Sequence, residues 1–163
     1  MPMKADLWFP TVIWNDHLKD VNNAEIKEYV EKLAEEDKVG KVASNYGGWQ
    51  SKSFELLDQK PLAIERFIHT LQRCLNECTK MAGMPDLIIS DWWWNINYHK
   101  DYNQPHNHRD SVLSGVYYID VPEDSDSKIH FDREDEAQYY LPRYMPPVSY
   151  THLRAHETVS HLL

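Results

Sequence analysis

The chain changes character at Gly83. Before it, two segments carry apolar residues at helical spacing; after it, aromatic and β-branched runs alternate with polar turns. Helices first and strands second restrict the fold to an α+β arrangement, or to a barrel with a helical preface. The first helix is expected over residues 24–37, with Asn23 as its N-cap and a stripe of Ile26, Tyr29, Val30 and Leu33. The second is expected over residues 61–82. Pro61 sits in its first turn, Ile64, Phe67, Ile68, Leu71, Cys74 and Leu75 form its stripe, and Gly83 stops it. Both stripes need a sheet to bury against, so the helices should pack on the outside of the β half.

Residues 5–14 read as a strand interrupted by Pro10, which suits an edge position. Residues 39–53 read as a loop with a turn at Gly47-Gly48. Residues 87–89, 92–98, 111–119 and 127–131 read as strands, and Pro122-Glu-Asp-Ser-Asp126 as the turn between the last two. Six Trp, 10 Tyr and 4 Phe supply rings that favour strands and bury large areas. No repeat or low-complexity stretch occurs.

The net charge of −9 disfavours nucleic acid or an anionic membrane as partner, since both select a basic face. No apolar run reaches the ~20 residues of a membrane span, and the N-terminus lacks the basic-then-apolar order of a secretory signal. Cys74 and Cys78 lie on adjacent turns of one helix, where disulfide geometry is rare and no further ligand completes a zinc site. Two reduced thiols and a cytoplasmic location are the expectation.

The segment richest in chemistry is Tyr102-Asn-Gln-Pro-His-Asn-His-Arg-Asp-Ser111. If it is extended, His106, His108 and Asp110 point to one side. Two imidazoles and a carboxylate on one face match the facial triad of non-haem Fe(II) sites. His130 lies mid-strand and reads as structural.

The stretch from Pro105 to Pro122, with its His-x-His and Ser-Gly-Val-Tyr-Tyr elements, resembles the core motif of a 2-oxoglutarate/Fe(II) oxygenase family common in marine bacteria and their phages. Ser44-Asn-Tyr-Gly-Gly-Trp-Gln-Ser51 resembles a second motif of that family, and the likeness covers residues 5–145. The resemblance implies a double-stranded β-helix, or jelly roll, preceded by the two helices. It also implies Fe(II) as metal, 2-oxoglutarate as co-substrate, and hydroxylation of a small molecule or a protein side chain. Two ligand registers are open: His108 with Asp110, or His106 with His108. His108 is common to both. Tyr102 and Asn97, which flank the ligand loop, are candidate co-substrate contacts.

A complete member of that family continues to a distal His and a later Arg that grips the far carboxylate of 2-oxoglutarate. Here the chain reads Val148-Ser-Tyr-Thr-His-Leu-Arg-Ala-His-Glu-Thr158, which resembles a translated transposase-type sequencing adaptor. The expectation is therefore a single incomplete domain over residues 1–147 and a non-native tail over 148–163, packed poorly or as an ad hoc helix. The rival expectation makes His152, His156 or His161 the distal ligand and Arg154 the anchor. An alternative function from another class is a cupin-like binding module without turnover. A zinc hydrolase fits less well, because no Glu stands beside the His pair as a base.

Overall fold

A computed structural model describes residues 11–125 and 127–131, together with the backbone of 153–154 and 160–162. Strand β1 (Trp14–Asp16) leads into helix α1 (Asn23–Glu36). Three short strands follow, β2 (Asn45–Tyr46), β3 (Trp49–Gln50) and β4 (Phe54–Glu55), and then helix α2 (Leu62–Ala82). Next come β5 (Asp91–Trp92), β6 (Asn95–Ile96), β7 (Tyr102–Asn103), β8 (Gly115–Tyr117) and β9 (Lys128–Ile129). The last are β10 (Leu153–Arg154) and β11 (Ser160–Leu162). No helix among the described residues is long and apolar enough to cross a membrane.

Both expected helices form within a residue of their sequence-based limits. Gly83 ends α2 in the left-handed region, at φ 65°, and its N–H closes the last turn on Lys80 and Thr79. Cys74 and Cys78 are free thiols on this helix. Burial raises the pKa of both above the usual thiol value.

The start of α1 corrects the sequence reading. Asn22 takes the N-cap position and makes no side-chain cap bond. Asn23 is spent elsewhere: the Tyr117 hydroxyl donates to its Oδ1 at 2.7 Å, and its Nδ2 donates to the Ile119 carbonyl at 2.9 Å. Lys27 adds an exposed ion pair to Asp120 at 2.6 Å. The first turn of α1 is thus tied to the segment around β8. Asn23→Ala should cost about 1–3 kcal/mol, because the partly buried Tyr117 hydroxyl and Ile119 carbonyl lose their partner. Asn22→Ala should stay within about 0.5 kcal/mol. Urea unfolding of the two variants checks the ranking, and equal costs would refute it.

The region between the helices is not the loop expected over 39–53. It pairs antiparallel with 91–103 as one interrupted ribbon: β2 with β7, β3 with β6, β4 with β5. Each paired piece is two residues long, too short for alternation to be legible. Between Gln50↔Asn95 and Phe54↔Trp92, three residues (51–53) face two (93–94), which is a β-bulge. Ser51 fills it: its N–H donates to the Trp94 carbonyl and its Oγ accepts from the Trp94 N–H, both at 2.9 Å. Strict alternation would put Trp49 and Phe54, five residues apart, on opposite faces. The extra residue brings both to the helix side. The 92–98 strand is thereby split into β5 and β6.

Opposite Gly47-Gly48 the partner strand makes an extra turn over Tyr98–Asp101, closed by the Asp101 N–H on the Tyr98 carbonyl at 3.0 Å. Gly47 and Gly48 have φ of 70° and 63°. A Cβ on Gly47 would collide with the Asp101 carboxylate, and one on Gly48 would lie 2.6 Å from Asn97 Oδ1. Glycine is required at both for conformation and for space.

The core lies between the two helices and one ribbon face. Ile26 and Ile64 are each 1% exposed, and Val30, Phe67, Ile68, Trp49, Phe54 and Trp94 join them. Leu33, Leu71, Trp92 and Ile96 pack around this cluster. The expected burial of both helical stripes is observed.

Three other strand readings need correction. Residues 87–89 enter no ladder; the Gln72 carboxamide holds them instead, donating to the Leu87 carbonyl at 2.8 Å and accepting from the Ile89 N–H at 3.0 Å. The 111–119 strand shrinks to β8 and the 127–131 strand to β9. The 148–163 tail is neither a loose extension nor a helix where it is described: β11 sits between β1 and β8, and β10 pairs with β9. Backbone ladders recruit any segment with free N–H and C=O groups, so a strand can form there without apolar alternation. The sheets are small and antiparallel, compatible with α+β; closure into a jelly roll is not seen among the described residues. Pro10, the rest of the first strand before residue 11, His152 and His156 lie outside the described residues.

Candidate metal centre

β7 is anchored to the upstream chain by the Gln104 N–H, which donates to the Ser44 carbonyl at 2.7 Å. Beyond it, Pro105 turns the chain out of the ladder and the loop with the candidate ligands begins. His106 is exposed and places its Nδ1 2.7 Å from the Gln104 carbonyl. A carbonyl only accepts, so Nδ1 carries a proton, and in the neutral ring the Nε2 lone pair is left available. A backbone carbonyl setting the tautomer in this way is the usual partner of a metal-binding imidazole.

The His108 ring stands edge-on to that of His106, 4.8 Å between centroids and 85° between planes. Its other neighbour is Trp93, at 5.3 Å. Burial lowers the His108 pKa below the usual imidazole value, a charge on His106 lowers it further, and Asp91 acts in the opposite direction. His108 is therefore neutral at pH 7, as metal binding requires. Because its pKa is lower folded than unfolded, the unfolded chain takes up this proton first. His108 thus contributes stability that is complete above about pH 6.5 and is lost as the pH falls through its folded value. The melting temperature should drop between pH 7 and pH 5, and more shallowly in His108→Gln. Parallel pH profiles for the two proteins would refute the assignment.

Asp110 does not join the pair through strand alternation. The Ser111 N–H donates to the His108 carbonyl at 3.1 Å, so residues 108–111 form a turn with the exposed Asp110 inside it. Among the described residues, no three His, Cys, Asp or Glu side chains are close enough to hold a metal ion together. Tyr102 is 48% exposed and stacks on Tyr46 at 5.0 Å. Asn97 Nδ2 donates to Asn103 Oδ1 at 3.3 Å, and Asn103 donates to Ser44 Oγ at 3.2 Å. A groove of about 500 Å³ is lined by Ser53, Glu55, Leu56, Leu57, Ile88 and Asp91, among others, and does not include the histidines.

Sequence reasoning missed Trp93 and Asp91. Both are odd-numbered partners of the inward-facing Trp92 and Trp94, and that alternation was the available signal.

Residues 91–158 match a family model described as "Putative 2OG-Fe(II) oxygenase". The match begins at β5, contains the whole His106–Asp110 loop and β8, and crosses the 147/148 boundary expected from the sequence. The upstream Ser44–Ser51 motif lies outside it. No curated protein and no solved structure matches the chain.

Proposed function

We propose that the chain is a 2-oxoglutarate/Fe(II)-dependent oxygenase of the hydroxylase type, with a metal held by His108 and His106. The observation that carries this reading is the paired imidazoles: the His106 and His108 rings meet edge-on at 4.8 Å, and the His106 Nδ1 lies 2.7 Å from a backbone carbonyl, which turns its Nε2 away from that bond. The match over residues 91–158 supports the oxygenase class. Neutral nitrogen donors fit a first-row metal. When bound, Fe(II) with 2-oxoglutarate supplies an oxidant strong enough to hydroxylate a C–H bond. The chain's own part is to hold the imidazoles deprotonated, to orient them through Trp93 and Gln104, and to contact the co-substrate. Asn97 suits that contact because it follows the outward alternation of Trp93. The Tyr102 ring is committed to Tyr46. The organic substrate is a small molecule or a protein side chain.

Under this reading Asp110 is the weaker candidate for second ligand, since its turn separates it from the pair. Mn(II) titration, with Mn(II) as an unreactive substitute for iron, separates the registers. His106→Ala should weaken binding about 10–100-fold or more, and Asp110→Ala should change it less than about threefold. The reverse order would move the site to His108 and Asp110.

The absence of a third ligand group among the described residues favours one other reading, a cupin-like module that binds metal without turnover. Release of succinate from 2-oxoglutarate in the presence of Fe(II) and O₂ decides between the two. Metal binding with no succinate favours the module.

A further inference from the structure

The register of the ribbon defines its two faces. Trp49↔Ile96 and Gln50↔Asn95 are directly opposed pairs, and opposed residues point to the same side. Trp49 enters the core with the helices, so Gln50 and Asn95 lie on the other face. Trp93 precedes the core residue Trp94 and belongs to that outer face, where its ring meets His108. Gln50 therefore lies on the ribbon face whose Trp93 ring meets His108.

Its surroundings are unusual for that position. Asn95 is exposed, whereas Gln50 is only 5% exposed. Its Oε1 is buried and has no hydrogen-bond partner among the described residues. The Trp92 and Trp94 indole N–H groups also lack a partner among the described residues, but both belong to the helix side of the ribbon. Burying an amide oxygen without a donor is costly. Departures from full polar satisfaction concentrate at functional sites.

We propose that Gln50 is a substrate-binding residue, whose carboxamide oxygen accepts a hydrogen bond from an N–H or O–H of the organic substrate held beside His108. This rests on the metal-site reading above and adds a substrate class to it: an amide, amine or alcohol. At neutral pH 2-oxoglutarate offers only acceptor oxygens, so it is not the matching partner.

The test uses the ¹⁵N-labelled full chain and two small probes of similar shape, N-methylacetamide, which has an N–H, and N,N-dimethylacetamide, which has none. The expected result is a saturable shift of the Gln50 side-chain amide signal with the first probe and none with the second. Equal shifts, or no shift with either, overturn the proposal. A shift with acetate instead also overturns it, because the N–H end of the carboxamide would then face inward. In Gln50→Met, similar in volume but with no amide, the melting temperature of the free protein should rise by about 2–8 °C as the orphan oxygen is removed. A fall would show that the carboxamide has a structural partner, an ordered water included, and would overturn the proposal. Mn(II) broadening separates this inference from its parent. If Mn(II) leaves the His106 and His108 ring signals sharp, the metal-site reading fails. If it broadens them and spares Gln50, the inference alone fails.

Discussion

Phe67→Ala is expected to lower the stability of the protein by about 3–5 kcal/mol, much of the ~5–15 kcal/mol that a domain of this size has. Phe67 is 4% exposed. Its ring lies 6.1 Å from Trp94 and 4.7 Å from Tyr117, so it joins α2 to the ribbon and to β8 at one point. Truncation removes an aromatic ring and leaves a cavity walled by two others, which cannot collapse without moving a helix or a ladder. Phe67→Leu should recover more than half of the loss. Leu57→Ala is the contrasting control: the side chain is 96% exposed and should matter by less than about 0.5 kcal/mol. Urea unfolding with near-ultraviolet circular dichroism gives all three values. A Phe67→Ala cost near that of Leu57→Ala would show that the helices do not pack on the ribbon as described.

His108→Ala is expected to abolish Mn(II) and Fe(II) binding in the micromolar range while leaving the fold intact. Loss of a hydrogen-bonding partner behind a metal ligand costs about 10–100-fold in affinity, and loss of the ligand itself should cost more. His108 is shared by both ligand registers, so no rearrangement between His106 and Asp110 replaces it. The side chain is half-buried against Trp93 rather than in the helical core, and far-ultraviolet circular dichroism should therefore change little. In the unmodified protein, affinity should fall as the pH drops below about 6.5, because protons compete for the same imidazole nitrogens. Isothermal titration at pH 7.5 and pH 5.5 measures both effects. Unchanged affinity in His108→Ala would remove the site from this loop altogether.

The parts of this protein that were legible in its sequence are those set by short-range rules. α1 and α2 announce themselves through apolar residues three and four apart, and Gly83 stops α2 because only glycine is easy at its positive φ. His106 and His108 were legible because a His-x-His spacing is a local feature, and the structure does bring the two rings together. Asp110 was read onto the same face by assuming an extended chain. The turn over residues 108–111 removed that assumption, and one backbone hydrogen bond is enough to do so.

What only the tertiary structure decided is how distant segments meet. The pairing of 45–55 with 91–103 spans the whole of α2, and its two-residue ladders leave no periodic trace. The bulge at Ser51 changes which residues face inward, so Trp49 and Phe54 can both enter the core and Gln50 is left on the His side. Asn23 has every local qualification for an N-cap, yet Tyr117 and Ile119 claim its side chain from across the fold. A cap is worth about 1 kcal/mol, and two partly buried hydrogen bonds outweigh it. Local propensity sets where the helices and turns lie; burial and hydrogen-bond satisfaction between remote residues set which side of the ribbon becomes the core and which is left facing the candidate histidines.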